Sequence, residues 1–286
     1  MTVSIVIPNY NGEALLRRHL SQVIVAVGKQ CREIIVVDDN STDRSVQLVN
    51  SLINNKRIIK LIKNQKNLGF ASTVNRGVRA AKAEIIVLLN TDVYPEKGFL
   101  APLLPHFSDP KVFAVGMMDK SVEGDKVVLR GRGVAQWQRG FYVHQRGEID
   151  QSDTAWVAAG SGAFRKSTFL QLGGFSEIYN PFYWEDIDLS YRAVQAGYRL
   201  VFEPQSAVVH EHEQGAIKQK YSPRPVELIA YRNQFLFVWR NANLRQWLSH
   251  LFWLPYHLIF TTIKSRGLFL LAFFWAIEHW FFHEKD

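Results

Sequence analysis

The acids Glu185, Asp186 and Asp188 stand directly behind the aromatics Phe182, Tyr183 and Trp184 in FYWEDIDLSYR, residues 182–192. Carboxylates beside an apolar wall are candidates for acid–base chemistry; acids at the start of a helix also serve as caps. A second candidate is LLNTDV, where Asp92 follows a buried strand and Asn90 lies two positions earlier. A hard divalent cation takes oxygen ligands, commonly one or two carboxylates with substrate phosphates completing its shell. His210 ends SAVVH and offers an imidazole to Mn2+ or a similar ion, with Glu211 and His212 as neighbouring competitors; a histidine at a strand end is also an ordinary satisfied polar residue. In NLGFASTVNRG, Asn67 and Gly69 precede a helix carrying Asn75 and Arg76. The N–H groups of a helix start suit a phosphate; a glycine turn leading into a helix is the plainer reading.

The elements that must position these residues alternate. VSIVIP (3–8), EIIVVDD (33–39), RIIKLIKN (57–64) and AEIIVLLNTD (83–92) read as strands. Glu13 to Val27, the stretch 41–53 with Ser41 or Thr42 as N-cap, and 70–83 read as helices. Continuous Val/Ile/Leu strands alternating with helices predict a mostly parallel sheet covered on both faces. Pro8–Asn11, Asp38–Asp39 and Asn90–Asp92 then fall at the carboxyl ends of three strands, the edge where open α/β sheets bind ligands. The stretch 119–155 is rich in glycine and mixed charge and reads as hairpins or a mobile loop. Beyond it come a strand and glycine turn in AWVAAGSGAFRKS, a short helix over 167–174, a helix from Asp186 to Ala196 with Ile187, Tyr191 and Val194 on one face, and strands in YRLVFEP and SAVVHEH.

A chain of 286 residues, 47% hydrophobic and with net charge +8, can bury one large core and suits an anionic partner: a nucleic acid, a phosphorylated ligand or an acidic membrane. The single cysteine, Cys31, excludes an intramolecular disulfide framework and fits a reducing compartment. MTVSIVIPNYN lacks the basic and apolar regions of a signal peptide, so a cytoplasmic location is expected.

IVIPNYNG, VVDDNSTD, NLGFASTVNRG, LLNTD, GGFSE and WEDIDLSYR, in this order and spacing, resemble the inverting family-2 glycosyltransferases of the GT-A (Rossmann-like) fold, bacterial surface-polysaccharide type, over about residues 3–212. The resemblance implies a UDP- or dTDP-sugar donor, no nucleic acid, and a glycan or polyprenyl-linked glycan acceptor. It places Pro8, Asn9, Tyr10 and Asn11 along the nucleotide, Asp38 or Asp39 on the base, and Asn67, Gly69 and Asn75 nearby. Asn90-Thr91-Asp92 stands at the family's Asp-x-Asp metal motif with Asn in the first place, leaving Asp92 as the carboxylate for Mn2+ or Mg2+ and Asn90 and Thr91 beside the donor. His210 matches a second metal-ligand position of some relatives. By motif match Asp186 is the general base and Glu185 binds or orients the acceptor, with Trp184 and its aromatic neighbours offering flat faces to a sugar ring; Asp188 is structural. The helix macrodipole favours an ionised acid there and the aromatic wall opposes it, which together suit a base near neutral pH.

The expected division is a catalytic domain over 1–225 and a helical region over 226–286. Trp247–Ile263 and Gly267–Ile277 are apolar runs, each shorter than the roughly 20 residues that span a bilayer. Gln246, His250, His257, Thr261 and Lys264 recur as a polar stripe broken by Trp253, and Pro255 predicts a kink. Such helices suit a membrane interface, peripheral on the inner face of the plasma membrane; packing on the catalytic domain or a homo-oligomer is the alternative. Processive synthases of the superfamily carry Gln-x-x-Arg-Trp, whereas here Gln234 and Trp239-Arg240 have another order and spacing, so one sugar per reaction is expected. Two other classes were weighed. A sugar nucleotidyltransferase would need a glycine-rich loop that PNYNGEA lacks. An inactive membrane scaffold has only Asn90 in its favour.

Overall fold

The computed structural model describes residues 1–53, 58–211, 215 and 220–283. Arg57 and His212 lie outside them. The chain runs β1 (Val3–Asn9), α1 (Glu13–Ala26), β2 (Cys31–Asp38), α2 (Ser45–Ile53), β3 (Ile59–Lys63), α3 (Phe70–Ala80), β4 (Ile85–Leu89), β5 (Val93–Pro95), α4 (Leu100–Leu103), then β6 (Val112–Glu123), β7 (Lys126–Arg130), β8 (Gly133–Gln138), β9 (Phe141–Arg146) and β10 (Ser161–Arg165). After these come α5 (Lys166–Gln171), α6 (Glu185–Gln195), β11 (Arg199–His210) and three C-terminal helices, α7 (Pro223–Asn241), α8 (Leu244–Tyr256) and α9 (Leu268–His283).

The large sheet has the order β3-β2-β1-β4-β10-β6-β11-β5, with β7 paired to β6. β1 pairs in parallel with β2 and β4, β2 with β3, and β6 with β11. β10 enters antiparallel between β4 and β6, so the sheet is mixed about a parallel half. Successive side chains of a strand point to opposite faces, and the core divides accordingly. Ile5, Ile7, Ile34, Val36, Ile85 and Val87 pack beneath α1; Val6, Ile35, Val37, Ile86 and Leu88 pack against α3. Gly77 sets how close α3 comes: a Cβ there would lie 2.4 Å from Val6 and 2.9 Å from Val37.

Several local expectations are corrected. α2 begins at Ser45, whose N–H is accepted by Asp43 Oδ1 at 3.0 Å, while Ser41 and Thr42 bond instead to Asn9 and Asn11. Ile187 and Tyr191 are buried as expected, but Val194 is exposed, and Leu189 and Ala193 are buried as well. YRLVFEP and SAVVHEH are one strand, β11, broken in register around Pro204. The stretch 119–155 contains two hairpins, β6–β7 and β8–β9. In the second, Arg139 and Gly140 both have positive φ (47° and 77°), the two-residue primed turn that matches strand twist.

The tail helices share a core with the rest of the chain. Phe235, Phe237 and Val238 of α7 are fully buried against Phe141, Tyr142, Trp184 and Tyr191. The polar stripe of α8 faces inward: His250 is buried with Nδ1 2.9 Å from Gly140 O, and His257 Nε2 is 2.9 Å from Arg139 O. Periodicity defines two faces of a helix but not which one turns inward; here hairpin carbonyls take the polar one. α8 leads through a π-helical turn, His257–Thr261, directly after Pro255. Among the described residues no helix is long and apolar enough to cross a membrane.

Candidate active site

A cavity of about 600 Å³ opens at the carboxyl ends of β1, β2 and β4, lined also by the start of α6, the end of β11 and the strand β9. Pro8, Asn9, Tyr10, Asp39, Asn67, Gly69, Asn90, Thr91, Asp92, Glu185, Asp186 and His210 all reach it. Residues far apart in sequence thus converge on one site.

Four proposed site residues do not line it. Asn11 adopts φ 51° and its Oδ1 accepts Thr42 N–H at 2.7 Å, bracing the β2–α2 loop. Asp38 accepts Asn9 Nδ2 at 2.8 Å and Ser41 N–H at 3.0 Å, which holds it under Asn9. Asn75 spends its amide on the backbone of Phe175, donating at 2.8 Å and accepting at 2.9 Å. Trp184 is buried against Phe237 and His144. The aromatic walls of the cavity are instead Phe182, Tyr183, Trp156, Tyr10 and Tyr221.

Asp39 lines the cavity with its oxygens already committed. It accepts Asn64 Nδ2 at 2.7 Å, Leu68 N–H at 2.8 Å and Gly69 N–H at 2.9 Å. Its carboxylate therefore clamps the turn before α3. Asn9 Oδ1, Asn90 Oδ1 and Glu185 Oε2 are the opposite case: buried, in residues that line the cavity, and without a hydrogen-bond partner. Buried polar atoms are nearly always satisfied, so three orphans in residues of one cavity are exceptions to the rule.

The acids sit where the backbone is forced. Tyr183 and Trp184 both have positive φ (70° and 80°) just before α6. This twist delivers Glu185 and Asp186 to the cavity on the first turn of the helix. Burial raises the Asp186 pKa, partly offset by hydrogen bonds from Ala159 N–H at 3.2 Å and Ile187 N–H at 2.8 Å. Burial and then the neighbouring Asp186 charge push Glu185 well above the usual carboxylate range. Asp188 points away and is fully buried, accepting Tyr179 OH at 2.9 Å, Arg192 Nε at 2.8 Å and Asn241 Nδ2 at 2.8 Å.

Asp92 and His210 also line the cavity and meet there, with Nε2 3.4 Å from Asp92 Oδ2. His210 Nδ1 lies 2.8 Å from Asp119 Oδ2. Burial disfavours charge on the imidazole, but Asp119 and Asp92 outweigh it and raise its pKa to about 9. A carboxylate on the far nitrogen of a histidine is how metal-binding imidazoles are oriented. Among the described residues no group of three His, Cys, Asp or Glu side chains is arranged to hold a metal ion. Asp92 with His210 Nε2 fits a divalent cation that displaces the Nε2 proton and draws its remaining ligands from a diphosphate and water.

Asp119, which meets His210 Nδ1 and lines the cavity, is absent from the sequence reading. It ends the apolar run VFAVGMMD as Asp92 ends its own strand, and that pattern is the signal for it. Arg130, Arg132, His144, Arg146 and Lys220 also line the cavity. Lys220 Nζ lies 5.2 Å from the Tyr10 ring centroid. Nothing in the local sequence marks these residues.

The model for glycosyl transferase family 2 matches residues 4–171. The chain belongs to this family. Among its relatives is the pre-mycofactocin glycosyltransferase of Mycobacterium tuberculosis, 31% identical over 215 residues, or 73% of this chain and 43% of that protein. The chain therefore spans less than half the length of that relative. The N-acetylglucosaminyl-diphospho-decaprenol L-rhamnosyltransferase of M. tuberculosis is 27% identical over 72% of this chain and 75% of its own length. Among solved structures, GalNAc-T7 with UDP, GalNAc and Mn2+ superposes with a TM-score of 0.68 at 20% identity, over 83% of this chain and 47% of that one. The family-2 chain thus carries the GT-A-like fold through most of its length.

Proposed function

We propose that this family-2 chain is an inverting glycosyltransferase that moves one sugar from a UDP- or dTDP-sugar to a glycan or lipid-linked glycan acceptor. The observation that carries this reading is the convergence of Asp186 and Glu185 on one cavity with Asp92 and His210. The curated relatives named for glycosyl transfer, one of them to a decaprenol-linked sugar, support the class of acceptor.

In this reading the donor's nucleotide lies along Pro8, Asn9 and Tyr10, beside the turn that Asp39 clamps. Asp92 and His210 Nε2 would hold the divalent cation, which when bound neutralises charge growing on the leaving diphosphate. The Asp186 carboxylate takes the proton of the acceptor hydroxyl as that oxygen bonds to the anomeric carbon and the bond from that carbon to the diphosphate breaks, releasing the nucleoside diphosphate. The raised pKa of Asp186 gives that carboxylate more basicity than an exposed aspartate has. Glu185, protonated at neutral pH in its buried position, donates to the acceptor and so orients it. Phe182, Tyr183 and Trp156 exclude water and present ring faces to the sugars. A lipid-linked acceptor brings the enzyme to the inner face of the plasma membrane.

Calorimetry with UDP and dTDP in the presence of Mn2+ tests the donor half. Binding of one nucleotide is expected, weakened at least about tenfold in Asp92→Ala. Equal binding with and without Asp92 would remove the cation site from the account.

A further inference from the structure

α8 and the π-helical turn after it turn their apolar side outward. Leu248, Leu251, Phe252, Ile259, Phe260 and Ile263 are each more than half exposed, between 56% and 76%. Their spacing places them on one face, opposite the buried His250. The polar groups that ordinarily keep such a helix wet are occupied by the β8–β9 hairpin: His250 and His257 meet the carbonyls of Gly140 and Arg139. Contiguous apolar exposure of this kind marks an interaction surface.

The charge around the face selects its partner. Between Glu227 and Glu278 the chain has no acidic residue. Arg245 precedes the exposed stripe and Lys264 and Arg266 follow it, all three exposed. Two copies meeting through this face would set those cations against their own kind, with no acid in residues 228–277 to pair them. An anionic bilayer offers apolar depth for the stripe and negative headgroups for its ends.

The same hairpin links the face to the cavity. Arg139, at its turn, stacks on Trp253 and Tyr256 of α8 at 5.3 and 5.6 Å. His144, Gln145 and Arg146 of β9 line the cavity. At about 3.4 Å per residue, the five steps from Arg139 to His144 cover roughly 17 Å. Gly140 makes the junction close: a Cβ there would lie 2.5 Å from His250 Cα.

We infer that the outward face of α8 and its π-helical extension is a docking surface for an anionic lipid bilayer. It seats the chain beside the membrane with the catalytic cavity one hairpin length away. This deepens the proposed transfer to a lipid-linked acceptor and rests on that reading for its purpose, but not for its test.

The test is co-sedimentation of the full chain with vesicles of phosphatidylcholine alone and of equal parts phosphatidylcholine and phosphatidylglycerol. Binding is expected to the mixed vesicles, weakening as salt is raised. Phe252→Glu combined with Ile259→Glu should reduce it at least about a hundredfold. Arg245→Glu or Lys264→Glu should each reduce it roughly fivefold or more, and these exposed changes keep the test open should the double variant misfold. Thermal melts check that each variant is folded. Absence of binding to either vesicle overturns the inference. So does a dimer, seen by light scattering, that Phe252→Glu abolishes, because a second copy then covers the face. Nucleotide release from donor sugars, measured without vesicles, reports separately on the transferase reading.

Discussion

Asn233 of α7 places its side-chain amide 2.9 Å from the carbonyl oxygen of Tyr183, one of two consecutive left-handed residues that deliver Glu185 and Asp186 to the cavity. The same nitrogen lies 2.9 Å from the carbonyls of Tyr179 and Phe182. Non-glycine residues at positive φ cost on the order of 1–3 kcal/mol each and persist only where their surroundings over-determine them. A fully buried asparagine on a C-terminal helix supplies part of that constraint, so the tail is part of the site's scaffold.

Replacing Asn233 by leucine should therefore act on both stability and chemistry. The two N–H groups shared among three carbonyls are lost, at a cost of about 1–3 kcal/mol. Denaturant unfolding measures that loss, and donor turnover by the still-folded fraction should fall as the acids lose their placement. Unchanged turnover would separate the tail from the site.

Asp188 ties α6 to the tail through Asn241 and to the loop through Tyr179. Asp188→Ala leaves Tyr179 OH and Arg192 Nε without that acceptor, removes the buried charge facing Arg192, and leaves Asn241 Nδ2 with Phe237 O alone. A loss of about 3–5 kcal/mol is expected, read from the chemical-denaturation midpoint. A change below about 1 kcal/mol would show that Asp188 is not a principal anchor.

The raised pKa of Glu185 makes a signed prediction about pH. The glutamate is protonated more readily in the folded chain than in the unfolded one, where its value is near 4.5. Its contribution is therefore fully present below that value and is lost as pH rises through the folded-state pKa. Glu185→Gln should match the wild type in melting temperature at acid pH and exceed it by a margin that grows above pH 4.5. Parallel melting curves across that range would contradict the buried, protonated state.

Much of this was legible in the sequence, for physical reasons. β1, β2 and β4 are apolar on both faces, and only a doubly covered sheet makes such runs; their polar carboxyl ends mark the ligand edge. What was not legible depends on long-range contacts. Asp38 and Asp39 are adjacent and alike in type, yet one braces Asn9 and the other clamps Leu68 and Gly69. Asn75 matches a motif but bonds to Phe175, a hundred residues on. The α8 stripe was visible, but its direction is set by carbonyls of a hairpin turn that periodicity does not register.

The hairpin junction can be probed at one atom. Gly140→Ala combines a positive φ with a clash against the α8 backbone, and should destabilise the chain by about 1–3 kcal/mol. Hydrogen exchange should show new opening in α8 and at Arg139–Phe141, with β1 and β4 unaffected.

Asp92 and Asp186 line one cavity and are proposed to serve one reaction. Nucleotide release from a panel of UDP-, dTDP- and GDP-sugars with Mn2+ or Mg2+, by the wild type, Asp92→Ala and Asp186→Asn, tests it most directly. Release is expected from a UDP- or dTDP-sugar, abolished in Asp92→Ala and slowed roughly 10²–10⁴-fold in Asp186→Asn. No release from any donor, or equal release by all three proteins, would contradict it.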